Sequence, residues 1–253
     1  KRSGIEVAIA VDVSNSMLCQ DVSPSRLEKS KMIVSKLVEQ FDEDKMGLVA
    51  FAGSAITLLP MTSDYVSAKM FLDQLNPETI SIQGTNVAEA IVRATAGFSK
   101  KNNVGRALIL ITDAEDNEEG AMEAAKKAKE AGIRVFVLSV GTAQGGPIPM
   151  YDGTFKKDLS GNVVTTKLNE QIGKNIAQAG GGMYIHVDQN NMAQAILEKE
   201  IGKMQKEDIT ASMYSAYDEQ FVAVALLLFI VLVAELCIME RKNHLFKNFK
   251  LFS

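Results

Sequence analysis

The chain is poor in the residues that soft-metal and thiol chemistry needs. It has two histidines and two cysteines among 253 residues. Cys19 and Cys237 have no CxxC or Cys/His partner in sequence, so no zinc site is implied, and both are expected as free thiols. His186 ends an apolar run and is read as a strand-end residue, while His244 lies in the tail. Cationic excess is also missing. The net charge is −4 and no basic patch is interleaved with aromatics, which argues against a nucleic-acid partner. No P-loop, internal repeat or low-complexity segment occurs. No signal peptide opens the chain. It starts at Lys1 almost directly on an apolar run, so a targeting or membrane segment is expected to precede it.

What is present is a strand–helix alternation. Apolar runs fall at Val7–Val11, Met46–Ala52, Ile56–Leu59, Ala107–Ile111, Arg134–Val140 and Met183–Val187. Helical periodicity separates most of them, as in Arg26–Phe41, which opens on Ser25-x-x-Glu28 with Pro24 at its entry. Asp64–Leu75, Val87–Phe98, Ala121–Ala131, Asn169–Ala179 and Asn190–Lys206 complete the helices. The expected fold is α/β, doubly wound, with a mostly parallel sheet. Gly53-Ser54-Ala55 is too short for a parallel crossover, so Ile56–Leu59 is expected as one antiparallel edge strand. Gly145 to Lys167, broken by Pro147, Pro149, Asp152-Gly153 and Ser160-Gly161-Asn162, reads as a hairpin insertion beside the ligand-binding edge.

The tail from Phe221 to Met239 (FVAVALLLFIVLVAELCIM) carries a single charge, Glu235, and reads as a transmembrane helix. Arg241, Lys242, Lys247 and Lys250 follow it, which predicts a cytoplasmic tail and a domain on the outer side of the inner membrane. The expected organisation is therefore a domain over 1–207, a link over 208–220, a span over 221–239 and a basic tail over 240–253. Glu235 would reach the interface or pair with a polar group on another membrane helix.

Three short pieces carry the chemistry. Asp12-Val13-Ser14-Asn15-Ser16 directly follows the first strand, Gly84-Thr85-Asn86 precedes a helix, and Thr112-Asp113 closes the fourth predicted strand. Carboxylate and hydroxyl oxygens suit Mg²⁺ or Mn²⁺. Taken singly, each also reads as a turn or a helix cap. A haloacid-dehalogenase-type phosphatase would want a second acid where Ser14 stands, so a hydrolase is disfavoured.

Asp12-x-Ser14-x-Ser16, Thr85 and Asp113 together resemble the metal-ion-dependent adhesion site of von Willebrand factor type A domains. The resemblance covers about residues 5–206. It implies that Ser14, Ser16 and Thr85 contact a magnesium ion, with Asp12 and Asp113 acting directly or through water. The loop from Ser16 to Leu27, the stretch Gly153 to Val164, Ala179-Gly180-Gly181-Gly182 and Glu240-Arg241-Lys242 are similar to the bacterial membrane-anchored Bat proteins, named for aerotolerance. That likeness implies other Bat-type proteins, envelope proteins presenting an acidic residue and a MoxR-type AAA+ ATPase system as partners, at a lipid membrane. A cell-surface adhesin using the same metal is the other reading. Met17, Leu18 and Met150 are read as rim or as buried packing. Glu115 and Asp116 are candidates for tuning partner choice; Glu115, Asp116, Glu118 and Glu119 also suit the first turn of a helix.

Overall fold

The structure is a computed structural model that describes residues 4–100, 104–115, 120–150, 152–189 and 192–239, with the side chains of 206–223 and 236–239 left out. Six strands form the main sheet: β1 (Glu6–Asp12), β2 (Lys45–Phe51), β3 (Ala55–Thr62), β4 (Arg106–Thr112), β5 (Ile133–Val140) and, later in the chain, β8 (Gly181–Val187). Their order is β3-β2-β1-β4-β5-β8. β1 pairs in parallel with β2 and β4, β4 with β5, and β5 with β8. Only the β2–β3 hairpin is antiparallel in this sheet, and β3 is an edge, as the short connection requires. β3 runs three residues past its predicted end, through Pro60 to Thr62. An edge strand tolerates a proline because one row of its amides has no partner, and two register shifts lie in the same pairing.

The helices are α1 (Arg26–Val38), α2 (Tyr65–Asp73), α3 (Val87–Ala96), α4 (Ala121–Glu130), α5 (Glu170–Ala179) and α6 (Met192–Met239). Four of their starts are fixed by side-chain caps. Ser25, Asp64, Asn86 and Asn169 each accept a hydrogen bond from the backbone N–H three residues on. Along β1, Val7, Ile9 and Val11 face a core completed by α1, α2 and the start of α6. Ala8 and Ala10 face the other core, built with α3, α4 and α5. This alternation, apolar on both faces, is what a central strand covered on both sides needs.

The insertion forms its own small ladder. β6 (Gly146–Pro147) pairs antiparallel with β7 (Thr165–Thr166), and bridges Pro149–Phe155 and Lys157–Val163 continue it.

The chain divides into two compact units, Lys1–Asp208 and Ile209–Ser253. One expectation is corrected here. Among the described residues no helix is long and apolar enough to cross a membrane, so the transmembrane helix expected over 221–239 is withdrawn. The segment is helical, as part of α6. Glu235 is exposed on this helix, and the expected tail over 240–253 lies outside the described residues.

Candidate metal centre

β1 is the strand from which the chain departs to β2 on one side and is later joined by β4 on the other. A crevice at such a switch point, at the carboxyl end of the strands, is where open α/β sheets take ligands. Asp12 is the last residue of β1, opposite Phe51 of β2, and Val11 is opposite Ile111 of β4. Thr112 and Asp113 therefore arrive beside Asp12, a hundred residues away in sequence.

The chain after Asp12 folds back on its carboxylate. The Ser14 N–H donates to Asp12 Oδ1 at 2.9 Å. A 3-10 turn over Asn15–Leu18 follows, and the Ser14 and Ser16 hydroxyl oxygens lie 3.0 Å apart. The Thr112 hydroxyl donates to Asp12 Oδ2 at 2.7 Å. Asp12 and Asp113 have no exposed surface. Burial, and then the Asp113 charge, push the Asp12 carboxyl up to about 7. Asp113 is also raised by burial, against the opposing pull of Arg26 and a hydrogen bond from Ser16.

Asp113 is held from several sides. Its Oδ2 accepts from Arg26 Nη1 at 2.8 Å, its Oδ1 from the Glu115 N–H at 3.3 Å, and its carbonyl from the Asn169 N–H at 3.1 Å. Ala114 has a positive φ of 52°, an uncommon backbone state for a residue with a Cβ. Its N–H donates to Thr112 Oγ1 at 3.0 Å, which fixes this tight turn.

Thr85 lies in a loop brought to the same edge by backbone contacts. Gly53 N–H donates to Ile82 O at 2.9 Å and Asn86 N–H to Ala52 O at 2.6 Å, so the loop rests on the end of β2. Gln83 Oε1 accepts from the Asn15 N–H at 3.3 Å, joining the loop to the serine turn. Gly84 takes a φ of 122° to make the approach, and Thr85 is half-buried. Direct hydrogen bonds thus link Asp12, Ser14, Ser16 and Thr112, and Thr85 is placed through its loop.

The donor chemistry fits a hard divalent cation. Two buried carboxylates stand near one another with serine and threonine hydroxyls around them, and the like charges raise the Asp12 proton affinity in the absence of a cation. Among the described residues no three or more His, Cys, Asp or Glu side chains gather around one point. The candidate therefore depends on hydroxyls, which favours oxygen-seeking ions over zinc-type ligation.

The rim differs from the sequence reading in part. Met17 is fully buried in the core, so it does not line a rim; its place on the turn points it inward. Leu18 and Met150 line a groove of about 310 Å³ with Gln20, Pro24, Ser25, Glu28 and Pro149. Glu115 is engaged by the insertion: it accepts from the Thr166 hydroxyl and from the Lys167 N–H. Asp116, Glu118 and Glu119 lie outside the described residues. Cys19 is free and buried, and His186 Nε2 is 2.8 Å from Gly141 O.

Sequence reasoning missed Arg26, Asp21 and Thr166, which meet behind Asp113. One local signal existed. A cation in the first turn of a helix opposes the helix dipole and needs an anion nearby. Thr166, 140 residues from Arg26, gave no signal.

Residues 7–115 match the von Willebrand factor type A domain. The crystal structure of the conserved hypothetical protein BatB from Bacteroides thetaiotaomicron is 53% identical, with a TM-score of 0.79 over 80% of this chain and 100% of that one. An aerotolerance-related membrane protein from Bacteroides fragilis is 51% identical, with a TM-score of 0.76 over 79% and 100%. A UPF0353 protein of Mycolicibacterium gilvum is 30% identical over 206 residues, 68% of this chain; the chain spans 62% of that relative's length. Proximal thread matrix protein 1 from the mussel byssus, with a zinc-occupied MIDAS motif, shares the fold at 16% identity and a TM-score of 0.58, over 82% of this chain and 46% of that one. The chain belongs to the von Willebrand factor type A domain proteins, in the group that includes BatB and its aerotolerance-related relatives.

Proposed function

We propose that this domain binds a partner protein through a divalent cation, Mg²⁺ or Mn²⁺, held by Asp12, Ser14, Ser16, Thr85 and Asp113. The observation that carries the reading is the pair of buried carboxylates at the β1/β4 switch point, with two serine hydroxyls 3.0 Å apart beside them. Neutral hydroxyls leave much of the ion's charge uncompensated, and the bound ion would supply an open position for an anionic oxygen. The chain's own part is to fix the turn through the Ser14 N–H and the Thr112 hydroxyl, and to exclude water from Asp12. An Asp or Glu side chain of the partner fits that position.

The partner belongs, in this proposal, to the same bacterial membrane-associated complex: another Bat-type protein or an envelope protein, with a MoxR-type ATPase system nearby. The likeness to an aerotolerance-related membrane protein supports it. The domain is proposed to be non-catalytic, because Ser14 stands where a phosphatase would keep its general acid. Affinity purification from native membranes with and without EDTA tests the reading. Partners should be lost with EDTA and with Asp113→Ala. Co-purification that survives both places the contact elsewhere. Phosphate-ester turnover by the pure protein, abolished by Asp12→Asn, would refute the non-catalytic reading.

A further inference from the structure

Arg26 is the largest side chain in the fully buried set, and its surroundings are unusual for a packing residue. Its Nε and Nη2 donate to the two oxygens of Asp21 at 2.8 Å each, a bidentate pair. Its Nη1 donates to Asp113 Oδ2 at 2.8 Å and to Thr166 Oγ1 at 2.9 Å. Nη2 also reaches the Thr166 carbonyl at 3.5 Å. Gly141 lies against the guanidinium, and a Cβ there would come within 2.8 Å of Nε. Asp21 in turn accepts from the Thr142 N–H and hydroxyl. The Thr166 hydroxyl donates to Glu115, two residues after Asp113. The guanidinium is thus built into a closed cage whose one outlet toward the metal centre is Asp113.

We infer that Arg26 is a positioning residue that sets the charge of the metal centre: it aims Asp113 and partly neutralises it, so the ion is held less tightly than two unshared carboxylates would hold it. The inference rests on the metal reading above. Asp12, Asp21 and Asp113 bring three carboxylates to this region and Arg26 brings one positive charge. Without Arg26 the same donors would face the cation with one more net negative charge. More fully neutralised by its own site, the ion would then attract an incoming carboxylate more weakly; with Arg26 present, more of its charge is left for the partner. Asp21 tempers Arg26 from the far side without touching Asp113, so the two residues should move metal affinity in opposite directions.

The experiment is calorimetric titration of the full chain with MgCl₂ at fixed pH and ionic strength, on the natural sequence and on Arg26→Met, Arg26→Lys and Asp21→Asn. Arg26→Met should bind Mg²⁺ about tenfold tighter, as expected for one unit charge a few ångströms away in a partly screened interior. Arg26→Lys keeps the charge and should stay within about threefold of the natural protein. Asp21→Asn should bind roughly threefold to tenfold more weakly. A role in packing alone predicts no such opposite signs and no rescue by lysine. Arg26→Met that binds no tighter than Arg26→Lys overturns the inference. Should Arg26→Met fail to fold, Asp21→Asn decides: unchanged or tighter binding overturns it. If the natural protein binds no Mg²⁺, the metal reading fails and this inference with it. Binding by the natural protein with a flat variant series removes this inference alone.

Discussion

Asp44 and Asp12 are buried carboxylates at opposite ends of the same parallel strands. Asp44 precedes β2 at the amino end, and Asp12 closes β1 at the carboxyl end. Both accept two hydrogen bonds. Asp44 takes the Ile5 N–H at 2.9 Å and Gln205 Nε2 at 2.7 Å; Asp12 takes the Ser14 N–H and the Thr112 hydroxyl. Burial raises the proton affinity of each. The difference lies in the next neighbour. Asp12 faces a second buried carboxylate, Asp113, with serine and threonine hydroxyls beside it, whereas the like charge near Asp44 is Asp42, the smallest of the influences on it. It is this second buried acid, with neutral oxygens beside it, that sets the proposed cation site apart from Asp44.

The comparison can be broken most sharply by removing each acid in turn. Asp12→Ala should lower Mg²⁺ affinity at least about 100-fold, since loss of even an outer-shell partner costs 10–100-fold. Asp44→Asn should leave Mg²⁺ affinity unchanged and lower stability by about 1 kcal/mol through weakened hydrogen bonds. Calorimetry and denaturant melts on both variants check this, and equal effects on metal binding would erase the distinction.

A pH series sharpens it next. In the metal-free protein Asp12 keeps its proton up to about pH 7, so metal binding must displace one. Mg²⁺ affinity should fall about tenfold between pH 8 and pH 6. Proton release measured by calorimetry in buffers of different ionisation enthalpy should show the same displaced proton.

The same shift has a stability consequence whose sign is opposite to that of an ordinary paired carboxylate. The folded-state value lies above the unfolded one, so the ionised group disfavours the fold above about pH 7. That penalty fades as the pH falls toward 4. Without metal, Asp12→Asn should therefore stabilise the protein at pH 8 by about 1–3 kcal/mol. Urea melts in EDTA at pH 8 and pH 5 check it: the gain should shrink at the lower pH.

The smallest contrast is between two helix caps. Asn86 caps α3 beside Thr85, and Asp64 caps α2 away from the serine turn. Each replaced by Ala should cost about 1 kcal/mol of stability. Only Asn86→Ala should also weaken Mg²⁺ binding, by a few-fold, because it loosens the loop that presents Thr85. Parallel thermal melts and metal titrations separate the two effects.

Much of this was readable beforehand. The apolar run of β1 and the acid that ends it fix a buried strand with a carboxylate at its tip, because the side-chain period of a strand is two and the chain must turn where polar residues begin. Ser25 and Asn86 announced their helices for the same local reason: a short side chain satisfies an otherwise bare N–H. The three-residue link after β2 dictated the antiparallel edge, since no crossover fits in it. The reading of 221–239 as a membrane span was not borne out: among the described residues no helix is long and apolar enough to cross a membrane.

The sequence by itself determined the strands, the caps and the kinds of oxygen available, because those follow from neighbours within a few residues. Only the tertiary structure decided that Met17 turns inward, that Glu115 is held by Thr166 and Lys167, and that Arg26 stands between Asp21 and Asp113. The Thr166–Glu115 and Arg26–Asp113 pairs span 51 and 87 residues of chain, and Arg26, with Asp21 five residues away, meets its second anion only because folding brings the distant Asp113 to it.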